Sequence, residues 1–157
     1  MTKRSAMIVF RAGFGLLTLV AIAVQLVIQV QTRNSVANFF SYFTNLSNLF
    51  IAVVLLLGAV MLFNRREPAP RDDLVRGAAV LGMVIVGVVF SVLLRDVDLG
   101  NLQPWINSVL HYVMPVVAVL DWLILPPKSQ LTLRQLPYWL IFPFIYLAYT
   151  LIRGAIA

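Results

Sequence analysis

Long apolar stretches separated by short polar segments make up most of this chain. A helix needs about 20 mostly apolar residues to cross the hydrocarbon core of a bilayer. Five stretches meet this requirement, at about residues 7–30, 39–63, 74–94, 105–125 and 137–157. The segments between them carry charges, prolines or glycine, which favour turns. The pattern predicts an all-α integral membrane protein, a bundle of five transmembrane helices that forms a single domain over residues 1–157.

The composition agrees with this fold class and excludes several functions. Of the 157 residues, 61% are hydrophobic and 11% are charged, whereas soluble domains carry about 25% charged residues. The net charge is +6, but the basic residues lie between the apolar stretches, which argues against a nucleic-acid partner. Cysteine is absent and histidine occurs once, so cysteine chemistry is excluded and a His-rich metal site is not expected. We expect membrane lipids as partners, with no metal and no cofactor.

Lysine and arginine are distributed unequally between the two sides of the predicted bundle. Nine fall on the side of the N-terminus: Lys3, Arg4, Arg11, Arg65, Arg66, Arg71, Arg76, Lys128 and Arg134. Three fall on the opposite side: Arg33, Arg95 and Arg153. Because the basic side of a membrane protein faces the cytoplasm, the count predicts a cytoplasmic N-terminus.

Polar residues within the predicted helices collect near the outer ends of those helices. They are Thr18, Gln25 and Gln29 in the first helix, Asn38, Ser41, Thr44, Asn45 and Asn48 in the second, Asn107 and His111 in the fourth, and Tyr146, Thr150 and Arg153 in the fifth. Within a helix they recur every three or four residues, which places them on one face. The pattern predicts a polar pocket that opens toward the outer leaflet. The alternative is that these side chains only join helices by hydrogen bonds.

The predicted pocket contains residues suited to ester hydrolysis. His111 is the side chain able to act as a base near neutral pH, and a hydroxyl nucleophile needs such a base within hydrogen-bonding distance. The candidate hydroxyls at the predicted depth of His111 are those of Thr44, Ser41 and Ser47. Thr44 lies in the middle of the polar stripe. Candidates for binding or orienting a substrate, or for stabilising an oxyanion, are Asn48, Asn107, Asn45, Ser41, Gln25 and Gln29.

Asp121 lies apart from this set. It follows His111 by about 15 Å along the predicted helix, which is too far for a direct contact. An unpaired carboxylate in an apolar environment is costly, so we expect Asp121 to form a salt bridge near the inner face, with Arg11 or Arg76.

Two short segments resemble the androgen-induced-protein family of multi-pass membrane proteins. They are residues 39–49 (FFSYFTNLSNL) and the Trp-Ile-Asn step at 105–107, followed by His111, Pro115 and Asp121. Within this family the chain resembles the bacterial relatives, which are usually described with six helices. Since five helices are predicted here, we expect the sixth helix to be lacking. Animal members are threonine hydrolases that split fatty acid esters of hydroxy fatty acids with a Thr and a His.

The resemblance implies that Thr44 is the nucleophile and His111 the base of a lipid ester hydrolase. It also implies a bacterial cytoplasmic membrane as the location and a lipid ester as the substrate. The alternative is a non-catalytic lipid- or small-molecule-binding protein, or a transport subunit, that uses the same pocket. A bundle that only scaffolds partner proteins is a third possibility.

Overall fold

The computed structural model describes residues 2–129 and 132–156. Over these residues the chain is helical and contains no strand. Five helices are long and apolar enough to cross a membrane: Lys3–Gln31, Phe43–Phe63, Pro70–Leu94, Pro104–Ile124 and Leu133–Ile156. The sequence prediction of an all-α membrane bundle with five spanning helices is therefore confirmed. Residue 157, which ends the predicted fifth helix, lies outside the described residues.

Two of the spanning helices contain a π-helical turn. The α-helices are α1 (Lys3–Gln31), α2 (Val36–Phe39), α3 (Phe43–Phe63), α4 (Pro70–Val89), α5 (Pro104–Ser108), α6 (Met114–Ile124) and α7 (Leu136–Ile156). A π turn at Phe90–Leu94 continues α4, and a second at Val109–Val113 joins α5 to α6. A short 3-10 turn at Leu133–Gln135 leads into α7. Single π turns within α-helices occur frequently at functional sites.

The helices α1, α3, α4 and α6 pack around one another, and α7 packs against the outside of α4. One apolar core lies between α3, α4 and α6: Ile51, Leu55, Ala79, Met83, Val86, Met114, Val117 and Ala118. A second core joins α1, α2, α5 and the π turn that follows α5: Ala21, Ile22, Phe39, Ile106 and Leu110. Within each helix these residues are mostly three or four positions apart, so their side chains lie on one face and point toward the centre of the bundle.

The two ends of the bundle differ in charge. The end formed by the start of α1, the end of α3, the start of α4 and the end of α6 carries Arg4, Arg66 and Lys128; we call it the basic end. The opposite end carries Thr44 and His111; we call it the histidine end. Successive spanning helices run in opposite directions between these ends. Arg4, at the start of α1, bonds to the carbonyls of Leu62 and Phe63 at the end of α3. Near the start of α4, Arg76 bonds to the carbonyl of Leu125 after α6, and Gly77 lies against Trp139 near the start of α7. Which end faces the cytoplasm stays a prediction from the charge count.

The start of the second predicted helix is wrong. The helix was expected from residue 39, but α2 stops at Phe39 and α3 begins only at Phe43. The backbone of Tyr42 is extended, with ψ 131°. The side-chain amide of Asn45 donates to the carbonyl of Phe39, 2.8 Å away, which satisfies one of the free carbonyls at the end of α2. Asn38 and Ser41 therefore do not share one helical stripe with Thr44 and Asn48.

Helix α7 attaches to the bundle mainly through aromatic side chains. Phe142 stacks on Phe43 of α3 with ring centroids 5.2 Å apart, and Trp139 meets Trp122 edge to face at 5.9 Å. Gly77 of α4 provides the space for Trp139, because a Cβ at this position would collide with the indole ring. No residue of α7 between Leu136 and Ile156 is fully buried, so most of its apolar surface faces outward, as expected for a helix in contact with lipid.

Candidate functional site

Several of the predicted site residues bond to the main chain of neighbouring segments. Gln25 donates to the carbonyl of Asn101 (3.2 Å) and accepts from the N–H of Gln103 (3.3 Å). Gln29 donates to the carbonyl of Ser35, 3.3 Å away. These bonds fasten the two loops at the histidine end to α1. They agree with the alternative that polar side chains here join segments of the bundle, and they occupy the polar atoms concerned.

Ser41 is also engaged in local bonds. Its hydroxyl donates to the carbonyl of Ala37, 2.7 Å away, and lies 2.7 Å from the hydroxyl of Tyr149 on α7. Since Ser41 lies in the turn between α2 and α3, it connects that turn to α7. It shares no helix face with Thr44 and contributes to the attachment of α7.

Asn48 connects the segment that carries Thr44 to the segment that carries His111. Its side-chain nitrogen donates to the carbonyl of Thr44 (2.9 Å) and to the carbonyl of Leu110 (3.1 Å). Asn48 is fully buried. The first turn of α3 and the π turn of the α5–α6 helix are therefore in direct contact at this residue.

Pro115 explains why the carbonyl of Leu110 is open to Asn48. In the π turn, the N–H of Met114 bonds to the carbonyl of Val109, five residues back. The next N–H in this register would come from residue 115 and reach Leu110, but proline has no N–H. A buried carbonyl without a donor is costly, and Asn48 supplies the donor from α3.

His111 is buried within the π turn, with its imidazole in a defined orientation. The ring stacks on Phe90 of the other π turn, with centroids 3.9 Å apart and an angle of 26° between the planes. Nδ1 lies 3.3 Å from the carbonyl oxygen of Asn107. Because a carbonyl only accepts hydrogen bonds, Nδ1 carries the proton and Nε2 keeps its lone pair. Nε2 makes no hydrogen bond within residues 2–129 and 132–156, so it is available as a base.

A close approach of α4 and α6 supports this stack. A Cβ added at Gly87 would lie 2.9 Å from Cβ of Pro115, so the two helices touch backbone to ring at this point. Gly87 precedes Phe90 by three residues, and Pro115 follows His111 by four, so the contact lies about one turn from the stacked rings. Glycine at position 87 thus fixes the distance at which Phe90 meets His111.

Thr44 lies on the inward face of α3, near its beginning. It precedes Asn48 by four residues and Ile51 by seven, and residues at this spacing share one helix face. Ile51 belongs to the core, while Thr44 itself is half-buried. The hydroxyl of Thr44 makes no hydrogen bond within the part of the chain that the structure describes, and in particular none to His111.

Unpartnered amide groups lie beside His111. The side-chain oxygens of Asn48 and Asn107 are buried and have no hydrogen-bond partner among the described residues. Buried acceptors are normally satisfied by a protein donor, a water or a ligand. Both N–H groups of Asn48 are used, so Asn48 cannot donate to an oxyanion. The side chain of Asn107 makes no hydrogen bond in the described ranges, and it therefore remains the candidate oxyanion donor.

Asp121 forms salt bridges with both of the predicted partners, Arg11 and Arg76. Arg11 binds the carboxylate through two nitrogens, at 2.6 and 3.1 Å. Arg76 binds the same carboxylate at 2.8 Å and donates to the main-chain carbonyls of Asp121 and Leu125. Arg11 and Asp121 are both buried. The expectation that Asp121 pairs with Arg11 or Arg76 near the basic end is confirmed, and it serves the structure of the bundle.

No family model, curated protein or solved structure matches this chain. The resemblance to the androgen-induced-protein family therefore stays a prediction that rests on its two sequence segments. Among the described residues, no group of three or more His, Cys, Asp or Glu side chains is arranged to bind a metal ion.

Phe90 is the site residue that the sequence analysis missed. It is fully buried and supplies the face on which the imidazole of His111 lies. Its sequence context is an unbroken apolar stretch, which offers no sign of its role. The π turn around His111 did have a sign in the sequence, because Pro115 removes a main-chain donor four residues after the histidine.

Proposed function

We propose that the histidine end is the active site of a membrane-embedded lipid ester hydrolase, with Thr44 as the nucleophile and His111 as the base. The observation that supports this most directly is the position of Asn48. Its amide contacts the carbonyls of Thr44 and Leu110 and so joins the turns that carry the two reacting side chains. The resemblance to threonine hydrolases supports the same pair.

The proposed ester hydrolysis uses the unprotonated Nε2 of His111 as the base. The hydroxyl oxygen of Thr44 attacks the ester carbonyl while its proton passes to Nε2 of His111. The tetrahedral intermediate expels the alcohol, which takes that proton, and leaves an acyl group on Thr44. Nε2 then accepts a proton from a water whose oxygen attacks the acyl-threonine. The second tetrahedral intermediate expels the Thr44 oxygen, which takes the proton back from Nε2, and the acid is released. The amide of Asn107 would donate to the negative oxygen in both steps.

Thr44 and His111 make no hydrogen bond with each other in the structure, so the proposal requires that they approach when a substrate binds. Such pairs are often long or poorly aligned without substrate and tighten in the complex. Asn48 does not prevent this approach, because it contacts main-chain carbonyls and leaves the Thr44 hydroxyl and Nε2 of His111 unbonded. Phe90 keeps the imidazole plane fixed meanwhile.

The substrate class follows from the resemblance and from the surroundings. Fatty acid esters of hydroxy fatty acids have long apolar chains that dissolve in the bilayer, and the site lies between helices suited to that environment. The charge count favours a cytoplasmic basic end, which would put the histidine end at the outer leaflet. We further infer that the membrane is the bacterial cytoplasmic membrane.

Labelling of the purified protein with a fluorophosphonate probe tests the assignment. Wild type and Thr44→Ser, which keeps the hydroxyl, are expected to be labelled. Thr44→Val, which keeps the shape without the hydroxyl, and His111→Ala are expected to lose labelling. Ser108→Ala is the matched control, because it removes a hydroxyl from the helix that carries His111. The Ser108 hydroxyl is exposed and bonds to the carbonyl of Pro104. Equal labelling of wild type and Thr44→Val would contradict the role of Thr44 as the nucleophile.

The runner-up is a non-catalytic protein that binds a lipid or small molecule at the same end. The observation that favours it is that Gln25, Gln29 and Asn45 are all bonded to main-chain atoms, which leaves few groups free for chemistry. This function predicts a lipid retained through purification and no turnover of an ester panel. Loss of bound lipid in Asn107→Ala, together with no labelling of wild type that depends on Thr44, would support it over the hydrolase.

A further inference from the structure

A cavity of about 640 Å³ opens at the basic end, away from the proposed active site. It is enclosed by the start of α1, the end of α3, the start of α4 and the segment that follows α6. Pockets for small ligands commonly measure about 300–1,000 Å³. The cavity is therefore large enough to take a ligand headgroup together with part of an apolar chain.

The charged side chains of the cavity are mostly basic. Its lining contains seven Lys or Arg and four Asp or Glu, an excess of three positive charges. The acidic groups are engaged: Asp73 accepts bonds from the main chain of Lys128 and Ser129, Glu67 pairs with Lys128, and Asp72 accepts from the N–H of Ala69. The surplus positive charge therefore faces the cavity.

Two arginines at the mouth of the cavity are without a partner in the described ranges. Arg65 and Arg71 line the cavity, and neither side chain has a hydrogen bond or an ion pair with residues 2–129 or 132–156. Both are exposed. Arg4, in contrast, caps the end of α3 by donating to the carbonyls of Leu62 and Phe63. Arg65 and Arg71 are thus free to bind an anion.

The floor of the cavity carries one more positive charge than negative. Arg11 and Arg76 share the single carboxylate of Asp121, so the buried group as a whole is cationic. The Nη1 nitrogen of Arg11 makes no hydrogen bond within the described chain. It lies against Gly58, where a Cβ would come within 2.6 Å of it. Arg11 is only 7% exposed, and a buried cation without a full set of anionic partners favours binding of an additional anion.

Part of the lining of the cavity is apolar and extends along α3. Val54, Leu57, Met61 and Leu62 form it together with Val75 of α4. Val54 and Leu62 are eight residues apart, which corresponds to about 12 Å along the helix axis. A cavity with cationic groups at its mouth and floor and an elongated apolar wall matches a molecule with an anionic head and an apolar tail.

We infer that this cavity binds an anionic glycerophospholipid of the surrounding membrane, with its phosphate at Arg65 and Arg71 and one acyl chain along the wall formed by Val54 and Leu57. The guanidinium group presents several donors in a plane and binds phosphate oxygens in pairs. A zwitterionic lipid brings its own positive charge to the arginines and binds less tightly. The site is separate from Thr44 and His111, so neither proposal depends on the other.

Native mass spectrometry of the detergent-purified full chain tests the inference. The protein is titrated with phosphatidylglycerol, with phosphatidylcholine of the same acyl chains, and with glycerol 3-phosphate as a headgroup without chains. The pocket variant is R65Q with R71Q. The matched control is R33Q with R95Q, which removes the same charge from two exposed arginines at the histidine end.

Wild type is expected to prefer phosphatidylglycerol to phosphatidylcholine by about tenfold or more, and the pocket variant to lose about tenfold in affinity for phosphatidylglycerol. The control double variant should differ from wild type by less than about twofold. Equal binding of the two lipids, or an equal loss in the control, would overturn the site. Displacement of the lipid by an equal concentration of glycerol 3-phosphate would overturn the lipid as occupant in favour of a free phosphate compound.

Discussion

The side-chain amide of Asn48 on α3 donates to the main-chain carbonyl of Leu110, 3.1 Å away in the π turn that carries His111. This bond exists because Pro115 cannot supply the N–H that would otherwise reach Leu110. Asn48, which the sequence predicts to orient a substrate, therefore also supplies the hydrogen-bond donor that the carbonyl of Leu110 lacks within its own helix. Its loss would disturb the position of His111 before any chemistry takes place.

We expect Asn48→Ala to lower the free energy of unfolding by about 1–2 kcal/mol, because the buried carbonyl of Leu110 loses its donor. In a Pro115→Ala background the main chain regains an N–H that can reach this carbonyl, so the same substitution should cost about 1 kcal/mol less. Reversible denaturation of the four proteins in mixed micelles measures this difference. Equal costs in both backgrounds would show that the carbonyl is not what Asn48 stabilises.

Gly87→Ala should destabilise the bundle by about 1–3 kcal/mol, since the added methyl would lie 2.9 Å from the rigid ring of Pro115. Gly13→Ala is the matched control, because nothing lies within 4 Å of a Cβ there. Alanine favours helix over glycine, so the control should be neutral or stabilising by up to about 1 kcal/mol. Thermal unfolding followed by circular dichroism compares the two, and similar midpoints would contradict the close approach of α4 and α6.

Asp121→Asn should destabilise the protein by about 3–5 kcal/mol, because Arg11 and Arg76 would be left without their shared anion. Asp96→Asn tests the same change in charge at an exposed position, where Asp96 pairs only with its neighbour Arg95, and it should change the stability by less than about 0.5 kcal/mol. The fraction that elutes as folded protein after heating gives the comparison. A small effect of Asp121→Asn would mean that water or lipid already screens the two guanidinium groups.

Arg33→Gly should stabilise the end of α1, because Arg33 has a φ of 56°, which costs a residue with a side chain about 1–2 kcal/mol. Glycine adopts this conformation readily and is the usual residue after a helix that ends in this way. Arg33→Ala removes the same charge but keeps the strained backbone. A higher midpoint of unfolding for Arg33→Gly than for Arg33→Ala is the expected result, and equal midpoints would refute the assigned cause.

The five spanning helices could be predicted because the length of an apolar stretch is a property of the sequence alone. The pairing of Asp121 with Arg11 or Arg76 could be predicted because a buried carboxylate requires a cation. The break before Phe43 was missed, since the bond from Asn45 to Phe39 forms only once the chain has turned. The stack of Phe90 on His111 depends on the packing of two helices, which periodicity does not specify.

The sequence indicated that Thr44 and Asn48 share one face of a helix, but it did not indicate the bonds that Asn48 makes. The four-residue spacing is enough to place Thr44 and Asn48 on one face. It could not indicate that both N–H groups of Asn48 would be used by Thr44 and Leu110, because the second carbonyl comes from another helix. The basic cavity was missed for the same reason, since its arginines lie on separate segments.

The π turn at Val109–Val113 makes this one part of the helix tolerant to a change in chain length. A π turn accommodates one residue more than an α-helical turn, so deleting one residue there would return the helix to regular geometry. The faces of α5 and α6 would keep their directions. A deletion within α6 between Met114 and Asp121 would rotate Asp121 by about 100° away from Arg11. Within the spanning helix Pro104–Ile124, a one-residue deletion in the segment that contains His111 would thus preserve the bundle.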